Sequence, residues 1–236
     1  MKLQQSQIPL VGGHRGLPLS YPDNTLEGIV AAAESVDFVE LDVRRSADGR
    51  MVLSHEPELG ELVIHDHSWD ELSAVELGDG YRPALLDAVL EALPDSSLNI
   101  EIKNFPYQPG FDPDGTFALE VAALARPFDL LTSFYWPTMD TVKAAFPAVR
   151  TGLLVYQVGS LSDTFRAATA GGHQVIAPHF SLLIDDLGPL IEKAHSAGLE
   201  VMTWTVNDSE MAASLVSAGI DAIISDDPVR IQQEIQ

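Results

Sequence analysis

The feature that most limits how this chain can fold is a regular alternation of short apolar, β-branched runs with stretches of helical periodicity, sustained from end to end. The runs fall at Ile8–Gly12, Phe38–Val43, Leu98–Ile102, Leu130–Phe134, Gly152–Val155, Gln174–Pro178, Glu200–Val206 and Asp221–Ser225. Helix-period segments between them include Leu26–Ser35, Leu85–Leu93, Phe117–Ala125, Met139–Phe146, Leu187–Ala197 and Glu210–Ala218. Strands joined through helices run parallel, because a helical crossover returns the chain to the end where it started. The 236 residues carry this pattern without a composition break, which predicts an α/β fold: a single (β/α)8 barrel over residues 1–236. A doubly wound open sheet of eight strands is the alternative architecture.

Helix boundaries are marked locally. Asn24-Thr25-Leu26-Glu27 and Asn207-Asp208-Ser209-Glu210 have the form of capping boxes, and Asp227 stands as a cap before a first-turn Pro228. Gly198 and Gly219 sit where two helices should end. One unit departs from the pattern. After Phe38–Val43 the chain turns at Asp48-Gly49, enters the apolar Met51–Ser54, and then makes a polar excursion from Glu56 to Tyr81. Strand two is therefore expected either to be extended by a hairpin-like element or to be followed by an inserted strand, with a short rim insertion over about residues 56–81.

Charge and composition narrow the partners. A formal net charge of −22 repels nucleic acid and anionic lipid surfaces, so neither is expected to bind. No apolar run is long enough to span a membrane, and the amino-terminal ten residues lack a secretory apolar core. The absence of cysteine rules out disulfides and thiolate metal sites. A cytoplasmic enzyme acting on a small molecule is the expectation; no oligomeric state is specified.

Reactive groups of a barrel belong at the carboxyl ends of its strands. There the sequence places Gly13-His14-Arg15-Gly16, Glu40-Leu41-Asp42, Ser54-His55-Glu56 and Glu101-Ile102-Lys103. Side chains two apart on a strand share a face, about 7 Å apart along it. Glu40 and Asp42 thus point together, as do Glu101 and Lys103 on the next long strand. Three carboxylates so grouped repel one another unless a cation lies among them, and hard oxygen ligands suit Mg²⁺ or Ca²⁺ better than Zn²⁺. The competing explanation is a buried ion-pair network in which Arg15, Lys103 or Arg44 neutralises the acids. His14 and His55, each ending a strand-like run beside the acids, stand where a general acid and base would. With Arg15 and Lys103 as fixed charge, the set is the one phosphodiester cleavage requires.

The ordered series His14-Arg15-Gly16, Pro22-Asp23-Asn24-Thr25, Glu40-Leu41-Asp42-Val43, Asp48-Gly49, His55, Glu101-Ile102-Lys103, Thr132-Ser133-Phe134, Trp204-Thr205-Val206-Asn207 and Gly219–Asp226 closely resembles the glycerophosphodiester phosphodiesterase family. The resemblance implies a TIM barrel with an insertion after strand two and a divalent metal, Mg²⁺ or Ca²⁺, held by Glu40, Asp42 and Glu101. It implies His14 and His55 as the acid–base pair and Arg15 and Lys103 at the phosphate. The substrates it implies are glycerophosphodiesters, cleaved to an alcohol and glycerol 3-phosphate with a glycerol hydroxyl as internal nucleophile. Two positions depart from the family pattern: Asp23 is one methylene shorter than the usual acid, and Glu56-Pro57 follows His55 where the pattern has Asp. The second bears on the orientation of His55.

Several other polar residues call for an assignment. Trp204 is expected at the rim, against the glycerol or alcohol moiety, with core filling as its alternative. Ser133 and His179 follow strands four and six and either line the pocket or serve the fold. His65-Asp66-His67 has the composition of a metal cluster, but the capping box Ser68-Trp69-Asp70-Glu71 behind it reads as a polar loop. His173 and His195 are expected to face solvent. Alternative functions on the same barrel are a lysophospholipase D-like or sphingolipid head-group phosphodiesterase, and a non-catalytic glycerol-phosphate-binding barrel.

Overall fold

The computed structural model describes residues 8–156, 161–183 and 187–235; the amino-terminal stretch through Gln7 lies outside them. Its strands are β1 (Leu10–Gly13), β2 (Phe38–Arg45), β3 (Met51–Leu53), β4 (Glu58–Leu59), β5 (Leu62–Val63), β6 (Leu98–Ile102), β7 (Leu130–Ser133), β8 (Arg150–Val155), β9 (Val175–Pro178), β10 (Glu200–Thr203) and β11 (Ala222–Ser225). Parallel pairing runs β1–β2–β6–β7–β8–β9–β10–β11 and returns from β11 to β1, so eight strands close into a barrel and the open-sheet alternative is set aside. The helices are α1 (Leu26–Ala33), α2 (Trp69–Leu72), α3 (Leu86–Ala92), α4 (Thr116–Leu124), α5 (Trp136–Ala145), α6 (Leu161–Gly171), α7 (Leu187–Ser196), α8 (Ser209–Ser217) and α9 (Pro228–Ile235). Among the described residues no helix is long and apolar enough to cross a membrane.

Strand alternation builds two cores. Val39, Leu41 and Val43 of β2 face outward and pack with Ile29 and Ala32 of α1 and Val89 of α3, in an apolar layer that continues around the barrel. Phe38 has the opposite parity and joins Leu130, Leu154, Val175, Ala177, Met202, Ala222 and Ile224 in an inner cluster. Glu40 and Asp42 share the parity of Phe38 and therefore stand above this apolar floor, toward the carboxyl ends of the strands. Water is thus excluded from below the charged layer. The floor also explains Gly12: a Cβ there would lie 2.3 Å from the Phe38 ring.

The hairpin-like element after strand two is present. β3 pairs antiparallel with β2, Val43 opposite Leu53. Beyond it, β4 and β5 form an antiparallel pair, and Leu59, Ile64 and Leu72 pack with Val52 and Leu85 into a small separate core. The Glu71 carboxylate accepts from the Ser68 backbone N–H at 2.9 Å and its hydroxyl at 2.7 Å, as the sequence suggests.

Two other helix starts are shifted by one residue. Thr25, not Asn24, caps α1, its hydroxyl accepting from Gly28 N at 3.3 Å. Asp208, not Asn207, caps α8, accepting from Met211 N at 2.8 Å. Both asparagines are instead committed to the carboxyl end of the barrel. α9 begins at Pro228 as expected, with the Asp227 carboxylate accepting from Arg230 Nε at 2.7 Å. Gly198 and Gly219 follow α7 and α8 with φ of 75° and 85°, a conformation that side-chain-bearing residues resist.

Two histidines expected to face solvent do not. His173 is buried, its ring nitrogens 2.8 Å from Thr151 Oγ1 and 3.1 Å from Asp140 Oδ1. His195 is partly buried, with Nε2 2.8 Å from Asp221 Oδ2. Both anchor helix-to-strand connections at the amino-terminal rim, away from the charged layer. Burial lowers the His173 pKa.

Candidate active site

The charged side chains at the carboxyl ends of β1, β2 and β6 converge. His14 extends the β1–β11 ladder, its N–H donating to Ser225 O at 2.9 Å. Arg15 follows in a left-handed conformation, φ 55°, which turns its backbone N–H onto Glu40 Oε2 at 2.9 Å. Its guanidinium reaches Asp23 Oδ2 at 2.8 Å and lies 3.4 Å from Asp42 Oδ2. The shorter acid at Asp23 therefore still reaches the arginine.

Asp42 and Glu101 are direct register partners on β2 and β6. Ligand oxygens of Glu40, Asp42 and Glu101 lie within 4.8 Å of one another, and all three residues are buried. Lys103 Nζ sits 2.9 Å from Asp42 Oδ1 and 2.5 Å from Glu101 Oε1. Asn24 holds the other side of Asp42. Its Nδ2 donates to Asp42 Oδ2 at 2.9 Å while its Oδ1 accepts from Asp42 N at 3.0 Å. Sequence reasoning took Asn24 for a helix cap and missed this role; its side-chain chemistry fits both.

These contacts sort the three acids electrostatically. Burial and the adjacent Asp42 carboxylate push Glu40 up to about 8. Burial works in the same direction on Asp42, but Lys103 and Arg15 outweigh it and hold that carboxyl low. Burial also raises Glu101, against the pull of Lys103. The ion-pair network considered as a competing explanation is thus built by Lys103 and Arg15. Arg44 stays out of it, donating to His55 O at 3.1 and 2.6 Å and to Gln108 Oε1 at 3.1 Å.

The network leaves a place for a cation. Asp42 Oδ1 and Glu101 Oε1 are buried, with the Lys103 ammonium as their ion-pair partner and, among the described residues, no other donor. Burial and the neighbouring Asp42 carboxylate set Glu40 against carrying its charge in the absence of a cation. Three buried carboxylates with ligand oxygens within 4.8 Å of one another fit a divalent ion that takes hard oxygen donors. A measurable consequence follows from the raised carboxyls. Divalent-ion binding should release protons, and apparent affinity should fall as pH drops, because the cation requires the ionised carboxylates. Calorimetric titration in buffers of different ionisation enthalpy reads this directly; affinity independent of pH between 6 and 8, with no proton release, would contradict it.

Both candidate proton carriers have carboxylate partners at Nδ1. His14 Nδ1 lies 2.6 Å from Asp226 Oδ1, and His55 Nδ1 lies 2.6 Å from Glu56 Oε1. The longer side chain of Glu56 therefore reaches His55. Burial would lower the His14 pKa, but the Asp226 hydrogen bond and the Glu40 charge outweigh it and raise it. Burial and Lys103 lower that of His55.

A cavity of about 390 Å³ opens on these groups, lined by His14, Arg15, Glu40, His55, Glu101 and Lys103. Its opposite wall is apolar: Phe105, Phe134, Leu154, Trp204 and Ile224, with Tyr156 beside them. The Trp204 ring meets Phe134 edge-on at 5.3 Å, and its Nε1 donates to Ala177 O at 2.9 Å, so the indole is fixed in the cavity wall. Phe105 was not singled out in the sequence, although it lies two residues beyond Lys103, and Phe134 entered there only as part of a motif, without a role. Ser133 is structural, donating to Ile102 O at 2.9 Å. His179 packs on Trp204 at 5.0 Å and supports the wall from behind. The His65-Asp66-His67 stretch forms a 3-10 turn in the insertion and, among the described residues, makes no metal-ligand group.

Comparison with known proteins adds independent information. Residues 14–230 match the model of the glycerophosphoryl diester phosphodiesterase family. A glycerophosphodiester phosphodiesterase of Caldanaerobacter subterraneus is 28% identical over 235 residues, covering 93% of this chain and 94% of that protein. The crystal structure of glycerophosphodiester phosphodiesterase from Thermotoga maritima superposes with a TM-score of 0.79 at 26% identity, covering 95% of this chain and 97% of the other. One from Parabacteroides distasonis gives a TM-score of 0.85 over 96% of each chain; at 20% identity that likeness speaks to the fold alone.

Proposed function

The chain belongs to the glycerophosphoryl diester phosphodiesterase family, and on that premise we propose that it hydrolyses glycerophosphodiesters to an alcohol and glycerol 3-phosphate in the cavity at the carboxyl end of its barrel. The observation that carries the reading is the meeting, on one cavity, of a buried carboxylate triad and two histidines each partnered by a carboxylate.

In this proposal Glu40, Asp42 and Glu101 would hold a divalent cation, Mg²⁺ or Ca²⁺, which would supply positive charge to offset that of the phosphate. Arg15 and Lys103 line the same cavity and bear on the phosphate from the protein side. One of His14 and His55 takes the proton from a glycerol hydroxyl as that oxygen attacks phosphorus. The other gives a proton to the departing alkoxide. Water then opens the cyclic phosphate with the two roles reversed, leaving glycerol 3-phosphate and restoring both rings. No enzyme nucleophile is needed, in keeping with a chain without cysteine and a Ser133 hydroxyl committed to the backbone. Trp204, with Phe134 and Phe105, forms the surface against which the organic parts of the substrate lie.

The test is product identity. Incubation with glycerophosphocholine and glycerophosphoethanolamine should release free choline or ethanolamine with glycerol 3-phosphate; release of glycerol with phosphocholine or phosphoethanolamine would overturn the assignment. The apolar wall also favours a second reading, in which a lysophospholipid is accepted and its head-group alcohol released. A higher kcat/KM on lysophosphatidylcholine than on glycerophosphocholine would establish it over the first.

A further inference from the structure

Asp226 is not among the residues assigned to metal, phosphate or proton transfer above, yet its position is over-determined. Its Oδ1 lies 2.6 Å from His14 Nδ1, and its Oδ2 accepts from Asn207 Nδ2 at 2.6 Å. The orientation of Asn207 is itself fixed. Its Oδ1 accepts from Ser225 Oγ at 3.0 Å and from Asp226 N at 2.9 Å, so its amide nitrogen must be the group facing Asp226. Arg230 holds the backbone beneath, donating from Nη2 to Asn207 O at 2.8 Å. An ionised carboxylate only accepts, and the His14 hydrogen bond keeps the Asp226 pKa low. His14 Nδ1 must then carry the proton, which leaves Nε2 as the nitrogen available in the cavity.

We infer that Asp226, locked by Asn207, is a positioning residue that holds His14 in its Nδ1–H tautomer with Nε2 presented to the substrate. The inference rests on the reading of His14 as a proton carrier, but it can be decided separately.

The geometry specifies an exchange experiment. In Asp226→Asn, the donating Asn207 amide claims the oxygen of the new carboxamide. Its NH2 then turns toward His14 Nδ1 and forces the neutral ring into the Nε2–H form. Adding Asn207→Asp reverses this. The carboxylate introduced by that second change can keep the contacts with Ser225 and the backbone while its other oxygen accepts from the carboxamide NH2. The carboxamide oxygen then faces His14, and the Nδ1–H tautomer returns. Imidazole 15N shifts of His14, recorded where the ring is neutral, should show Nδ1–H in the native protein, Nε2–H in the single variant and Nδ1–H in the double variant. On glycerophosphocholine, kcat should fall about 10²–10⁴-fold in the single variant with KM changed only a few-fold, and recover at least tenfold in the double variant. An Nε2–H ring in the native protein, or a single variant with native kcat, overturns the inference. So does a folded double variant that regains the Nδ1–H form without regaining turnover. A native protein inactive on all glycerophosphodiesters would sink the proposed function instead, and the 15N shifts would still decide the tautomer.

Discussion

His14→Ala and His55→Ala are each expected to lower kcat on glycerophosphocholine by about 10²–10⁴-fold, the usual contribution of a positioned acid or base. Neither change should unfold the protein. His14 keeps 19% of its side-chain surface exposed and His55 37%, so truncation opens no sealed cavity. Asp226 retains Asn207 as a partner after His14 is lost, and Glu56 already faces solvent. The losses should fall on kcat, because neither imidazole is asked to hold the ground-state substrate. A variant melting at the native temperature and turning over at the native rate would remove that histidine from the mechanism.

Lys103→Met should have the largest effect on stability. The methionine replaces the aliphatic stem but leaves Asp42 and Glu101 buried without the ammonium that lies against both. Removing one partner of a buried ion pair typically costs about 3–5 kcal/mol. For a chain of this length that lowers Tm by roughly 10 °C, at about 2–4 °C per kcal/mol. The penalty follows pH in the same sense as the ion-pair stabilisation it removes. Without Lys103 the remaining acids are raised by burial and mutual repulsion. The penalty should therefore be largest where they ionise and should fade as pH drops through their raised values. Added Mg²⁺ or Ca²⁺ should restore part of the lost Tm, since a cation bound only by the folded chain stabilises it. Thermal melts of native and variant protein at pH 5 and 8, with chelator or divalent ion, test all three statements. An unchanged Tm in chelator at pH 8 would mean that Lys103 does not compensate the triad.

The barrel was legible because its two cores impose opposite demands on alternate residues. On β2 the outward Val39, Leu41 and Val43 had to be apolar, while Glu40 and Asp42 stood out as charges among them. That same break in apolarity located the site. What the sequence concealed were residues whose type suits two tasks. Asn24 and Asn207 have the chemistry of helix caps, and only the folded chain shows that Thr25 and Asp208 cap while the asparagines hold Asp42 and Asp226. His173 and His195 looked like surface residues because their partners Asp140, Thr151 and Asp221 are separated from them by 22 to 33 residues. The partner of His14 lies 212 residues away, at the closure of β11 on β1, where no local pattern could connect them. Glu56 was the reverse case. Its departure from the family pattern raised a question about His55 that its 2.6 Å contact answers.

The most direct measurement is the release of glycerol 3-phosphate from glycerophosphocholine by protein stripped of divalent ions and then resupplied with Mg²⁺ or Ca²⁺. Expected are negligible turnover in chelator, restoration by at least one of the two ions, and no restoration in Asp42→Asn. A folded native protein with no turnover under either ion would contradict the metal-dependent mechanism, as would turnover that chelation leaves untouched.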